Sequence, residues 1–183
     1  MRSTGTPGRA PARIVLLVAA VTPLISATAC GDPLVVELPL LRTTSAVYEL
    51  QTDVSGDLTA RVDYTFTNRT GATVYIVNCN GYFDVRLERF DGSDWSPAWS
   101  ALTPDCLSPP IRLEPGEAFV DTLDIWSGCP ELELYPELDC DAPDGTYRIV
   151  WVDALSSFQP SLPFGPQIPL AYRTSNAFEL ARR

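Results

Sequence analysis

The chain has no histidine and no lysine; all 13 of its basic residues are arginines. Without an imidazole or an amine, neither a Ser-His-Asp nor a Cys-His arrangement can be built. A serine-lysine pair is excluded as well, and histidine-based metal sites fall with them. No Cys-x-x-Cys knuckle is present, so a four-cysteine zinc site lacks its usual spacing. The longest apolar run, residues 14–29, is short for a membrane span of about 20 residues. A pair of carboxylates working as acid and base on a glycoside is the one catalytic device that counting leaves open. The reading is therefore a protein that is not an enzyme and needs no cofactor.

The apolar run fixes an address. Arg2, Arg9 and Arg13 precede it with no acidic residue among them, the pattern of a secretory signal with a positive start and an apolar centre. It ends in Ala27-Thr28-Ala29-Cys30-Gly31, which resembles a bacterial lipobox, with Ala27 in place of the usual branched residue. The resemblance implies that residues 1–29 are removed and that Cys30 is lipidated as the new N-terminus. Several acyl chains hold far more firmly than the single chain that binds only marginally. Ala27 and Ala29 also satisfy an ordinary secretory peptidase, which would release a soluble protein instead. The expected localisation is the bacterial cell envelope, and Gly31 after the cysteine is compatible in some bacteria with transfer to the outer membrane.

Removing residues 1–29 leaves 154, enough for one domain with a sizeable core. The removed part carries three arginines and none of the 23 acidic residues, so the remainder has a net charge of -13. Nucleic acid and anionic lipid surfaces both repel such a chain. With Cys30 set aside, Cys79, Cys106, Cys129 and Cys140 form an even set in an oxidising compartment, which reads as two disulfides. Three pairings are open, and Cys79–Cys106 with Cys129–Cys140 closes the most modest loops. Each bond is expected to contribute about 3 kcal/mol.

Residues 30–44 read as the lipidated cysteine and a tether that becomes a first edge strand, with Pro33 and Pro39 barred from a central ladder. The folded domain is expected over 45–183. Its clearest element is Leu58 to Thr67, where apolar and polar residues alternate for ten positions, one face buried and one wet. Further strands are expected at 46–52, 73–78, 82–90, from Trp95, at 111–113, 118–126, 146–153 and 175–181, separated by turn signals. Asp121 breaks the pattern of 118–126 by sharing the face of Phe119, Leu123 and Ile125. Asn68-Arg69-Thr70 matches a glycosylation sequon and reads as a plain turn.

About seven or eight short strands with no sustained helical period indicate an all-β fold, a two-sheet antiparallel β-sandwich. Asp144-Gly145-Thr146-Tyr147 resembles the tyrosine corner of immunoglobulin-like sandwiches, in which the tyrosine hydroxyl bonds back to the backbone. Together with Tyr64-Thr65-Phe66-Thr67-Asn68 and Leu113-x-Pro115-Gly116-Glu117, it is similar to bacterial immunoglobulin-like domains of exported proteins. A looser likeness is to the bacterial intracellular proteinase-inhibitor sandwich. The resemblance implies a fold and carries no catalytic residue across.

Three constellations are candidates for function. Pro160, Pro163, Pro166 and Pro169 recur every third residue, the period of a polyproline II helix, with Leu162, Phe164, Ile168 and Leu170 between them. A stiff apolar segment of this kind suits a protein partner, or else packs over its own sandwich. Trp95 and Trp99 are placed to stack on a sugar or anchor a partner, or to cover a sheet edge. Between Leu113 and Tyr147 stand ten acidic residues and no basic one, with Asp139, Asp141 and Asp144 as candidate calcium ligands, although the EF-hand pattern fails at Pro143 and Asp144. The expected function is a membrane-anchored binding or scaffolding module with a protein partner at the envelope. The alternatives are an inhibitor of secreted proteases and a carbohydrate- or calcium-binding module.

Overall fold

The alternation from Leu58 to Thr67 forms a ten-residue strand in which Leu58, Ala60, Val62, Tyr64 and Phe66 are buried and the residues between them are not. In the computed structural model, which describes residues 39–101, 108–127, 138–139, 141–161 and 164–182, this strand is the third of eleven. They are β1 (Leu41–Thr43), β2 (Val47–Thr52), β3 (Leu58–Thr67), β4 (Val74–Ile76), β5 (Val85–Phe90), β6 (Trp95–Ser100), β7 (Ile111–Leu113), β8 (Ala118–Ser127), β9 (Gly145–Trp151), β10 (Ala154–Leu155) and β11 (Phe178–Arg182). The fold is an all-β sandwich.

One layer holds β3 between β1 and β8, and the other runs β2-β11-β9-β5-β6. β2 belongs to both: its last two residues pair with the start of β3, while Val47 to Leu50 lie alongside β11. The layers meet where Phe66 of β3 stacks on Trp151 of β9, ring centroids 4.9 Å apart. Tyr64 and Phe119 pack on the same indole, at 5.8 and 6.0 Å. A three-stranded sheet, β10-β4-β7, adds Val74, Ile76, Leu113 and Ala154 to this core.

Three expectations need adjustment. The strands number eleven among the described residues, more than the seven or eight expected, and the two-residue β10 adds to the segments read from the sequence. The pairing is not wholly antiparallel, since β2 runs parallel to β11. Packing also begins before residue 45: Leu40 and Leu41 are buried, and β1 pairs with β3. Burying a leucine is worth about 2 kcal/mol, so this end of the supposed tether is part of the sandwich. The change of layer between β1 and β2 is fixed by Tyr48, whose hydroxyl accepts from Ser45 N at 2.9 Å and donates to Asp63 O at 3.0 Å.

Tyr147 makes the corner contact anticipated from its sequence: its hydroxyl donates to Pro143 O at 2.7 Å in a buried setting. Asp121, the apparent flaw in β8, does face inward. Its carboxylate accepts the hydroxyl of buried Tyr64 at 3.2 Å. Burial first and the Asp121 charge second raise the Tyr64 pKa, so the hydroxyl stays protonated as a donor.

Candidate functional site

The proline-rich segment is built onto the sandwich. β10 pairs with β4 on one side, and on the other Leu155 bridges Gln167. Ser156 N donates to Pro166 O at 2.9 Å, Gln159 N to Phe164 O at 2.6 Å and Ile168 N to Ala154 O at 2.9 Å, so the chain goes out and returns as a hairpin. A polyproline II helix keeps φ at about -75°, and the positive φ at Gly165 interrupts any continuous run into Pro166; Pro163 lies outside the described residues, so the expected edge of four rings is not seen among them. Gly165 is where the return closes. Its φ is +143°, and a Cβ there would lie 2.2 Å from Ser157 O, so only glycine fits.

Two further contacts lock the hairpin. Ile168 is buried in the core, and Arg173 donates to Trp151 O and to Gln167 Oε1, each at 2.8 Å, clamping the returning arm to the end of β9. Phe158 stacks between Phe164 and Tyr75, with centroids at 6.1 and 6.4 Å. Of the candidate contact residues, Pro160, Pro166 and Pro169 are exposed and Phe164 is half-buried. Ile168 is committed to the core, and Leu162 and Pro163 lie outside the described residues.

The two tryptophans do not share a face. They stand four apart on β6, which in a regular strand would put both on one side. A β-bulge intervenes: Leu87 pairs with Trp99 but Glu88 pairs with Pro97, leaving Ala98 as the extra residue. Trp99 therefore turns inward, 6% exposed, and its indole N–H donates to Trp126 O at 3.0 Å. It is unavailable to a ligand. Trp95 stays on the outer face against Phe90, with the Arg148 guanidinium 4.4 Å above its ring.

Beneath Arg148 lies a group that sequence reading passed over. Glu88 is only 5% exposed on the outer face of β5; it accepts Arg148 Nε at 2.8 Å and Nη2 at 2.6 Å, and Arg86 Nη2 at 2.7 Å. Nothing local in sequence marks it, because Arg148 is 60 residues away. Near Arg86, half-buried Asp84 has its pKa raised, first by burial and then by the charge of Asp153, with Arg86 opposing. A carboxyl with a raised folded pKa contributes stability below the usual carboxylate range, and this is lost as pH rises through the raised value. Asp84→Asn is accordingly expected to raise the melting temperature at about pH 7, with the gain disappearing near pH 3. Thermal melts of both proteins across that range check it.

The calcium candidates do not converge. Asp144 accepts Arg182 N at 2.6 Å and Arg182 Nε at 2.9 Å, and these bonds lower its pKa. Asp139 spends an oxygen on Asp141 N and Ala142 N within its own turn. Among the described residues no group of three acidic or cysteine side chains is placed to hold a metal ion. Cys79 is buried and disulfide-bonded, while Cys30, Cys106, Cys129 and Cys140 lie outside the described residues. No protein-family model matches the chain, and its sequence matches no curated protein.

Proposed function

We propose that this is an exported, lipid-anchored β-sandwich of immunoglobulin-like type that binds or scaffolds a protein partner at the bacterial envelope without catalysis. The observation that carries the reading is the locked proline hairpin. Its exposed prolines are presented on an arm already fixed by Arg173, Ile168 and the Tyr75–Phe158–Phe164 stack. A preformed loop on a rigid scaffold loses little entropy on docking. The parallel β2–β11 pairing and the Tyr147 corner support the immunoglobulin-like type. The anchor rests on Ala27-Thr28-Ala29-Cys30, and the disulfides on the even set of remaining cysteines. Leu40 follows Cys30 by ten residues, which limits the reach of the sandwich from the membrane to about 35 Å.

Intact mass of the protein purified from membranes of its native host tests the anchor, and a mass without acyl chains at Cys30 overturns it. The contact surface is tested by a photo-crosslinking residue at position 160, with a second at exposed Val54 as control. One envelope protein crosslinked from 160 and not from 54, and lost with Phe164→Ala, is the expected result. Equal labelling from both positions, or none, removes the hairpin as the contact.

A further inference from the structure

Asp121 is an inward-facing carboxylate that is only half-buried. A cleft of about 250 Å³ opens there, lined by Tyr64, Tyr82, Phe83, Val85, Asp121 and Leu123. Asp121 Oδ2 takes the Tyr64 hydroxyl, and among the described residues no arginine forms an ion pair with this carboxylate. The neighbouring acid at the rim, Asp124, is already paired with Arg61 at 2.9 Å. Thr122 is turned to Asp63, which accepts its hydroxyl at 2.6 Å.

The walls are aromatic and their geometry is fixed. Tyr82, 59% exposed, follows the turn Asn80-Gly81, whose φ values of 50° and 86° are those of a tight hairpin turn. Cys79 and Tyr82 exchange both backbone hydrogen bonds across it at 2.9 Å, and Cys79 is itself disulfide-bonded. Phe83 packs edge-on against Phe119 at 5.3 Å. A carboxylate and aromatic rings lining one cleft suit a cation carried on an apolar stem. The volume falls below the range of about 300–1,000 Å³ typical of drug-sized ligands and suits a single side chain. The chain's net charge of -10 draws cations towards it.

We propose that this cleft binds the ammonium or guanidinium of a basic side chain, with Asp121 as counter-ion and Tyr82 and Phe83 as walls. The cleft uses none of the residues on which the anchor and the proline-hairpin readings rest, so it holds or fails independently of them. Calorimetric titration of the full protein in detergent at low salt tests it, with Nα-acetyl-arginine amide and Nα-acetyl-lysine amide as probes. Nα-acetyl-norleucine amide serves as the uncharged isostere. Putrescine represents a free amine.

The basic amides are expected to bind at least tenfold tighter than the norleucine amide, and Asp121→Asn to weaken them by about tenfold. Tyr82→Ala is expected to weaken them severalfold. It lies on the surface and keeps the test open where Asp121→Asn melts early. Asp94→Asn, which removes an exposed carboxylate outside the cleft lining, leaves binding within about twofold. Amides favoured over putrescine assign the site to a peptide side chain, and equal binding assigns it to free amines as well. No binding below about 10 mM, equal binding of norleucine amide, or indifference to both Asp121→Asn and Tyr82→Ala overturns the proposal.

Discussion

Trp151→Ala is expected to lower the unfolding free energy by about 4 kcal/mol, the most damaging truncation in the core. The indole is 1% exposed, and three aromatic rings rest on it: Phe66 stacked, Tyr64 edge-on and Phe119 tilted. Two come from β3 and one from β8, while Trp151 ends β9, so this one side chain joins the two layers. Neighbours anchored in separate strands of a hydrogen-bonded sheet cannot collapse together, and most of the vacated volume stays empty. Domains of this size are stable by about 5–15 kcal/mol, so the loss is a large share, and the melting temperature is expected to fall by about 10 °C. Trp151→Phe keeps a ring against Phe66 and is expected to cost about 2 kcal/mol. Urea unfolding followed by far-ultraviolet circular dichroism, with disulfides kept intact, reads both. A cost below about 1 kcal/mol for the alanine variant would show that the layers are held together elsewhere.

How far the sequence revealed this architecture depends on whether the signal was local. β3 was legible over its whole length because one face is buried and the other wet for ten residues, and β8 was legible to within one residue for the same reason. The Tyr147 corner was legible because donor and acceptor lie four residues apart. The fate of Trp99 was not, since a single extra residue, Ala98, reverses which face follows it, and a bulge leaves no mark in the pattern of apolar residues. An edge strand was legible within 30–44, but not the packing that starts at Leu40: Leu40 and Leu41 are buried once β1 pairs with β3, some twenty residues on.

The same division holds for the candidate sites. A three-residue proline period is a true local pattern, yet Ile168 and Gly165 sit within it and long-range packing decides its shape. An acidic run likewise says little until Arg182, far along the chain, is seen to occupy Asp144. The cleft at Asp121 was half legible. Its odd parity in β8 was visible, whereas the buried Tyr64 hydroxyl that holds it comes from a strand 57 residues earlier. The Asn80-Gly81 turn that positions Tyr82 was an available signal that went unread.

Asn68 carries the other large expected effect, and its chemistry explains why a matching sequon is no site for sugar. The residue has no exposed surface. Its Nδ2 donates to Ala72 O at 2.7 Å and Leu113 O at 2.8 Å, while its Oδ1 accepts Thr70 N at 3.0 Å and Thr70 Oγ1 at 2.8 Å. The backbone joins in, with Asn68 N donating to Glu117 O and Gly116 N donating to Asn68 O. The turn after β3 is thus pinned to the turn between β7 and β8, and the nitrogen a glycan would need is consumed. Asn68→Ala removes four hydrogen bonds, worth about 3 kcal/mol together once the stranded carbonyls are included. Asn68→Asp is expected to cost more at neutral pH, about 4 kcal/mol, because a carboxylate oxygen then faces two carbonyl oxygens at hydrogen-bond distance. Protonation restores one donor. The aspartate variant is therefore expected to recover towards wild type as pH falls, while the alanine variant is not, and unfolding curves at about pH 7 and pH 4 separate the two. If both variants lose the same amount at both pH values, the side-chain amide is not what holds these turns together.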